Sequence, residues 1–417
     1  MPPRSRKAKS SAAKTSRTVK RPTDEPARPG KKRPPAPPLE VHFFGNGKGE
    51  ATVVRLPDGS WGVVDCYAKE LGDPSTNPVF QFLRERKVKK LLFVCLTHPH
   101  DDHYRGMSQL LTHFQVQNFW RFAGYSDQGI AEAAAGAWQE QIENEPDVDE
   151  ARSSLEDLVR TLRLVAEGAA QSAIVVARPN ITHVLYQWTG QPGRPDGEIR
   201  VVAPSQFHRE RYTTRAEAGA AELRHNDISL ALIIRYGQRS VFLGGDVEND
   251  NWDAVFRENR RNRPRVALGR AAVIKVCHHG SANGFHLNLW QRLCGRSKKT
   301  VAVITPYQRF GHPSRQGLDA VARFTARVYV TNRTALSWLN PAPVPVLVDP
   351  TTPPGRQERI RQRLAHLHRT GAIRTITPIE RHDGRCSVHV PPTARTGVAV
   401  DCAAPAGAVD LTAAIPV

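Results

Sequence analysis

The chain has 417 residues but only six cysteines, and no two of them form a Cys-x-x-Cys pair. Their spacing gives no sign of a disulfide framework, so we expect a reducing compartment. The sequence lacks any apolar run near the ~20 residues that a transmembrane helix needs. Its basic N-terminus is not followed by the apolar stretch of a signal peptide. These absences predict a cytoplasmic protein without a membrane partner, and they leave its oligomeric state open.

Acidic residues are scarce relative to basic ones. The chain has 59 lysines and arginines against 40 aspartates and glutamates, a formal net charge of +19. Residues 1–38 hold 12 basic residues, 2 acidic residues and nine prolines. Such a segment buries too little apolar surface to offset its ordering entropy, so we predict a disordered basic tail. Basic charge on tail and body favours nucleic acid as a partner, although such a tail could also serve solubility alone.

Histidines and aspartates are concentrated in residues 96–106, LTHPHDDHYRG. They follow KLLFVC, an apolar run typical of a strand that is buried on both faces. His98 and His100 point the same way from an extended segment and can share one metal ion. Asp102 and His103 lie past the turn and can face a second ion. Imidazole and carboxylate ligands suit zinc, manganese or iron, and we expect two divalent ions, Zn²⁺ or Mn²⁺.

Polar residues also follow other strand-like segments. VFLGGD ends in Asp246, whose carboxylate could bridge two ions after glycines that allow a tight turn. VIKVCHHGS presents His278 and His279, RFGHPS presents His312, and RHNDISL offers Asn226 before another strand. Strands that alternate with helices and end in such residues predict an α/β layered domain with a metal site at one sheet edge.

The domain organisation follows from composition. Residues 39–345 contain the strand and motif pattern and are expected to form the main domain. Within them, residues 129–172 show helical apolar spacing, which predicts a helical insertion. The composition shifts after Pro341, and residues 346–417 are expected to be a C-terminal extension of unknown role.

The motifs together resemble a known family. In order they are FFGNGKGEATVVRLPDGSWGVVD, THPHDDHYRG, NDISLAL, FLGGDVEN, VIKVCHHGS and FGHPS. This pattern resembles metallo-β-lactamase-fold hydrolases, and most closely the soluble metallo-β-lactamase-like domain of the ComEC DNA-uptake family. The resemblance covers about residues 40–315 and implies an αββα sandwich with metals at one edge of its two sheets. ComEC proteins carry a transmembrane channel that is not evident here, so transport is not implied.

The resemblance implies two groups of metal ligands around a shared aspartate. The first group is His98, His100 and Asp246. The second group is Asp102, His103, Asp246 and one of His278 and His279. The sequence does not settle which histidine it is; we expect His278 to be the ligand and His279 to contact a phosphate.

Further roles are implied for residues around these ligands. Asp65 is expected to lie behind the loop that carries His98 to His103, the metal loop, and to support it without binding metal itself. Asn226, Ser281 and His312 are expected to contact substrate, and His312 to protonate the leaving group. Arg105 stands where the family commonly has glycine, and an arginine so near the metals could bind a phosphate.

These expectations describe a metal-dependent phosphodiesterase, a nuclease that cleaves DNA. Asp102 or the metal pair would act as base, while His279 and Arg105 would neutralise the developing charge. Because fold does not determine function, a metallo-hydrolase of a small substrate is the first alternative, such as a cyclic nucleotide, a phosphocholine ester or a lactone. The second alternative is a non-catalytic nucleic-acid-binding protein that retains the fold.

Overall fold

The computed structural model describes residues 36–122, 148–190, 195–218, 223–261, 266, 268–296, 298–325, 327–332, 385–392, 398–401 and 409–410. The predicted tail therefore lies outside the described residues except for its last three positions. Residues 129–147 of the predicted insertion and 346–384 of the predicted extension also lie outside them.

The strands follow one another from residue 39 to residue 410. They are β1 Leu39–Gly45, β2 Glu50–Arg55, β3 Trp61–Val64, β4 Lys90–Leu96, β5 Gln115–Arg121, β6 Val175–Ala177, β7 Val184–Trp188, β8 Gly197–Ala203, β9 Ala231–Tyr236, β10 Arg239–Leu243, β11 Val273–Lys275, β12 Val301–Ile304, β13 Arg327–Val330, β14 Arg385–Val390, β15 Ala399–Asp401 and β16 Val409–Asp410. They form two eight-stranded sheets. The first sheet has the order β15-β14-β1-β2-β3-β4-β5-β6, and the second has the order β16-β13-β12-β11-β10-β9-β8-β7.

The helices are interspersed among these strands. They are α1 Pro78–Glu85, α2 Asp101–Tyr104, α3 Met107–His113, α4 Val148–Ala170, α5 Gln206–Glu217, α6 Asn249–Arg261, α7 Leu287–Cys294 and α8 Arg315–Ala322. The described part of the predicted insertion is the 23-residue helix α4. Among the described residues, no helix is both long and apolar enough to cross a bilayer.

Side-chain alternation along the strands creates two separate cores. On β9, Leu232 and Ile234 belong to a buried cluster that combines residues of both sheets. Ile233 between them belongs to a second cluster, which also contains Trp252 of α6 and Trp290 of α7. Successive strand residues point to opposite faces, so the second sheet is buried on both sides. The layers are those of the αββα sandwich that the sequence predicts, and that prediction is confirmed.

The strand directions place the predicted motifs at one edge. Strands β3, β4 and β5 run parallel, and β2 runs antiparallel to β3. In the second sheet β10, β11, β12 and β13 are parallel. The carboxyl ends of β3 and β4 and the first residue of β2 therefore lie at one edge of the first sheet. The carboxyl ends of β10, β11 and β12 lie together at one edge of the second sheet. A hydrogen bond from Leu230 N to Thr97 O, 3.1 Å long, joins the two edges.

The described residues beyond 346 add strands to this sandwich. β14 pairs antiparallel with β1, with Val388 opposite Val41, and β16 pairs with β13. The side chains of Cys386, Val388 and Val390 are fully buried in the cluster shared by the sheets. These parts of the C-terminal segment thus extend both sheets.

Val388→Ala should lower the free energy of unfolding by about 1–3 kcal/mol, because it removes buried methyl groups from the shared core. Urea unfolding measures the change. His389→Ala is the control, since its side chain lies on the opposite face of β14 and is partly exposed. Equal stability of Val388→Ala and the wild type would show that β14 is not part of the cooperative fold.

Candidate metal centre

Two imidazoles and two carboxylates meet at the shared edge of the sheets. The Nε2 atom of His279 lies 3.0 Å from Asp102 Oδ2 and 3.4 Å from Asp246 Oδ2. The Nε2 atom of His103 lies 3.4 Å from each of the same two oxygens. All four side chains are buried. We call Asp102, His103, Asp246 and His279 the carboxylate cluster.

A second pair of imidazoles stands on another side of Asp246. The Nε2 atom of His98 lies 3.0 Å from His100 Nδ1 and 4.0 Å from Asp246 Oδ2. The Thr97 hydroxyl donates its one proton to Asp65, so its oxygen can accept a hydrogen bond from His98 Nδ1. This assignment leaves a lone pair on His98 Nε2. Asp246 Oδ2 thus lies within 4.0 Å of an imidazole nitrogen from each group, that of His98 and that of His103.

Hydrogen bonds behind the cluster orient the imidazoles. Asp65 accepts hydrogen bonds of 2.8 Å from the backbone and hydroxyl of Thr97, and one of 2.8 Å from His103 Nδ1. His279 Nδ1 donates to the carbonyl oxygen of Thr305 at 2.9 Å. A carbonyl only accepts, so Nδ1 of His279 carries the proton and Nε2 faces the cluster. Such partners fix the tautomer of a metal-binding histidine.

The donor set fits a divalent cation. Among the described residues, His103 Nε2 and Asp246 Oδ1 are buried without a hydrogen-bond partner. Burial opposes a charged His279, but the carboxylates of Asp246 and Glu50 outweigh it and raise its pKa to about 10. The pKa of His103 is likewise raised, against the effect of burial, by Asp102 and Asp246. Protons thus balance negative charge that a metal ion can balance instead.

The first pair of histidines is held neutral. Burial lowers the pKa of His98 well below its usual value, and burial also lowers that of His100 to about 4. Neutral imidazole is the form that binds metal ions. His98 and His100 therefore present lone pairs at neutral pH without losing a proton first.

Strained backbone presents several of these side chains. Asp65, His278 and His279 have φ values of 58°, 47° and 52°, and Gly280 follows with φ 79°. A left-handed conformation costs a non-glycine residue roughly 1–3 kcal/mol. A hydrogen bond of 2.9 Å from His278 N to Gly245 O helps to hold this turn. The strain lets consecutive residues, His278 and His279, both face the site.

A buried ion pair that the sequence analysis missed lies behind the cluster. Lys275 Nζ is 2.5 Å from Glu50 Oε2 and 4.0 Å from Asp246 Oδ1. Glu50 also accepts a hydrogen bond from the Thr305 hydroxyl, and its Oε2 lies 3.3 Å from His279 Nδ1. The available signal was Lys275 itself, a lone charge inside the apolar run VIKVC, because such a charge needs a partner.

His278 lies between the cluster and solvent. Its Nε2 atom is 3.9 Å from Asp246 Oδ2, and its Nδ1 atom is 3.5 Å from Glu248 Oε1. Asn226 Nδ2 donates to the same Glu248 oxygen at 2.9 Å and lies 3.5 Å from His278 Nε2. The structure thus brings Asn226 to the site and places His279, more deeply than His278, inside the carboxylate cluster.

His312 lies beside His278, on the solvent side of the carboxylate cluster. Its ring centroid is 5.5 Å from that of His278, and its Nδ1 atom is buried without a hydrogen-bond partner among the described residues. Burial, then the neighbouring His278, lowers its pKa to about 4. His312 is therefore neutral at pH 7.

Arg105 and Ser281 are directed elsewhere. The Arg105 guanidinium is buried and donates to the carbonyl oxygens of Ala68, Lys69 and Glu150 and to the Ser154 hydroxyl. It also lies 3.5 Å from the Glu150 carboxylate. Four hydrogen bonds and this ion pair hold the guanidinium away from the cluster, and those to Glu150 and Ser154 anchor α4 to residue 105. Ser281 Oγ accepts from Gly284 N and donates to Asn283, which makes it the cap of a short turn.

A separate group brings ligand atoms of His208, Asp227 and Asp250 together. Arg211 lies 2.5 Å from Asp227, and Arg224 lies 3.1 Å from Asp250. These arginines already compensate both carboxylates. This group is therefore an ion-pair network.

Comparisons with known proteins do not assign a family. No protein-family model matches the chain, and no curated protein sequence matches it. Among solved structures, CmlA, a diiron β-hydroxylase from Streptomyces venezuelae, is 13% identical, with a TM-score of 0.32 over 58% of this chain and 35% of CmlA. The chain thus spans about a third of the length of CmlA.

Two other solved structures are similarly distant. A diphosphatase of the PhnP family is 10% identical, with a TM-score of 0.32 over 67% of this chain and 92% of its own. A β-lactamase domain protein from Burkholderia ambifaria is 16% identical, with a TM-score of 0.30 over 63% of this chain and 64% of its own. Similarities at this level assign no activity to the chain.

Metal binding to the metal-free protein at pH 7 should release about two protons, because His103 and His279 must lose theirs to bind a cation. Calorimetry in buffers of different protonation enthalpy counts the protons. His279→Gln should release fewer protons, and His183→Gln, which changes an exposed histidine, should match the wild type. A binding heat independent of the buffer would contradict the raised pKa values.

Proposed function

We propose that this chain is a metal-dependent phosphodiesterase that cleaves nucleic acid, DNA in the first instance. The observation that carries the proposal is the bridging position of Asp246 between two histidine groups. It supports a pair of divalent ions, Zn²⁺ or Mn²⁺, in the arrangement that the resemblance to metallo-β-lactamase-fold hydrolases implies. When bound, such a pair supplies Lewis-acid activation of water and of a phosphodiester.

The formal charge of the site supports two ions and an anionic substrate. Glu50, Asp65, Asp102 and Asp246 are buried carboxylates, and Lys275 is the ammonium group paired with Glu50. When all five of these groups are ionised, their net charge is −3. One divalent ion would leave the site negatively charged. Two divalent ions leave a charge of +1, which a phosphodiester or a hydroxide can neutralise. Such a site favours an anionic substrate over a neutral lactone.

The geometry suggests a ligand assignment that differs from the expected one in a single residue. We assign His98, His100 and Asp246 to the first ion. We assign Asp102, His103, Asp246 and His279 to the second ion. His278, expected to be the ligand, then takes the substrate-facing role first expected of His279, since it is partly exposed and contacts His312.

The remaining side chains would position the phosphodiester. Asn226, His278 and His312 offer nitrogen atoms on the outer side of the cluster, and the buried Nδ1 of His312 has no partner among the described residues. A neutral His312 would donate a hydrogen bond to the leaving oxygen. Burial alone would raise the pKa of Asp102, but His103 holds it well below its usual value. Asp102 is therefore a poor base and better suited to be a ligand.

The charge of the whole chain supports a polyanionic substrate. The net charge is +19, of which residues 1–38 contribute a net +10 (12 basic minus 2 acidic residues). Basic groups that neutralise phosphates release counterions, so binding should weaken steeply as salt rises. A hydrolase of a small substrate would show little salt dependence and would not need the tail.

Purified protein loaded with Mn²⁺ or Zn²⁺ should cleave DNA, tested with linear and circular molecules in single- and double-stranded form. The His100→Ala/Asp102→Ala double variant is the contamination control, since it loses one ligand from each proposed ion site. Metal-dependent cleavage that the variant lacks supports the nuclease. Absence of cleavage by wild-type protein that holds two ions would overturn it and favour a small phosphodiester.

His279→Gln should bind one ion fewer than the wild type, whereas His278→Gln should keep both ions and lose turnover. Removing a residue that only orients a metal ligand typically lowers metal affinity roughly 10- to 100-fold. His279→Gln should lower metal affinity by more than this, because His279 is assigned as a ligand itself. Elemental analysis after dialysis measures the stoichiometry. The opposite pattern would restore His278 as the ligand.

A further inference from the structure

The loop after β12 carries an exposed aromatic side chain beside the metal centre. Phe310 is 61% exposed, although large apolar side chains are usually buried in a soluble domain. Its neighbours Gln308, Arg309 and Gly311 are also exposed. In the same loop Tyr307 is buried, with its ring centroid 5.2 Å from that of His279. The loop thus joins the carboxylate cluster to the surface within four residues.

Backbone hydrogen bonds fix the position of this loop. Tyr307 and His312 bond to each other through N–H and C=O groups in both directions, at 2.9 Å each. Gln308 N donates to Gly47 O at 2.7 Å. Gly311 has a φ of 65°, in the left-handed region, which closes the turn. Phe310 therefore sits at the tip of a preformed turn, where an exposed ring loses little entropy on binding a ligand.

The ring lies close to where a scissile phosphate would sit. The centroid of Phe310 is 6.2 Å from that of His312, which is 5.5 Å from that of His278. His278 Nε2 is 3.9 Å from the bridging Asp246 oxygen. The rings of His312 and His278 thus form a chain of neighbouring rings from Phe310 to Asp246.

Positive charge flanks the ring. The Arg309 guanidinium carbon lies over the Phe310 ring, 5.4 Å from its centroid, while Phe310 as a whole is 61% exposed. Lys48 is exposed, and it follows Gly47, the residue that binds the Phe310 loop. An aromatic face between cationic side chains matches single-stranded nucleic acid, in which bases stack on aromatic rings and phosphates meet cations.

We propose that Phe310 is a stacking platform for an unpaired nucleobase next to the scissile phosphate. The proposal deepens the proposed function, because it rests on a phosphodiester at the ions. Paired bases are stacked inside a duplex and cannot reach the ring, so the platform selects single strands or frayed ends. Arg309 and Lys48 contact the phosphates on either side of that nucleotide.

The test is equilibrium binding by fluorescence anisotropy with metal-loaded protein, using oligomers whose phosphorothioate linkages resist cleavage. The probes are a labelled oligothymidylate and an oligomer of the same length and charge with abasic sugars throughout. Phe310→Ala should weaken oligothymidylate binding about tenfold, within the range of base–aromatic stacking, and leave the abasic oligomer unchanged. Phe310→Trp should bind oligothymidylate at least as tightly as the wild type. Phe207→Ala is the matched control, since Phe207 is 52% exposed on α5.

Two outcomes would overturn the platform. If Phe310→Ala weakens both oligomers equally, the side chain only maintains the loop, and if it weakens neither, no base stacks on it. A protein that binds in this base-dependent manner but never cleaves DNA refutes the nuclease and leaves the platform standing. A protein that cleaves DNA with no base-dependent effect of Phe310→Ala supports the nuclease and refutes the platform.

Discussion

The structure depends on a concentration of negative charge at a buried sheet edge. Glu50, Asp65, Asp102 and Asp246 are buried near one another, and an uncompensated carboxylate in such a place is strongly unfavourable. Lys275 compensates one charge, and raised pKa values place protons on His103 and His279. Protons on these imidazoles offset part of the remaining negative charge, so a cation that bound here would compete with them.

The protein holds this charge in place with structure that would otherwise be unfavourable. Left-handed backbone at Asp65, His278 and His279 is tolerated because partners on several sides fix these residues. Thr97 and Thr305 supply hydrogen bonds from both sheets to the groups behind the cluster. Backbone strain is thus tolerated at the positions that present imidazole and carboxylate groups to one site.

The sequence alone predicts most of the architecture. Apolar runs followed by polar residues locate β4, β10, β11 and β12, and each of these strands is observed. The pairing of β14 and β16 with β1 and β13 is not predictable in the same way. These short strands lie far along the chain from their partners, and strand pairing across such a distance depends on which sheet edge remains open.

The sequence by itself determined which residue types are available at the strand ends: His98, His100, Asp102, His103 and Asp246 follow from the period of buried strands and the chemistry of imidazole and carboxylate. Only the tertiary structure decided how neighbouring residues divide their roles. His278 and His279 are adjacent and chemically identical, and a strained turn separates them into one outer and one inner side chain. Arg105 looked free to bind phosphate, but α4, distant in sequence, supplies acceptors that turn it inward. Such outcomes depend on contacts between distant segments, which local patterns do not encode.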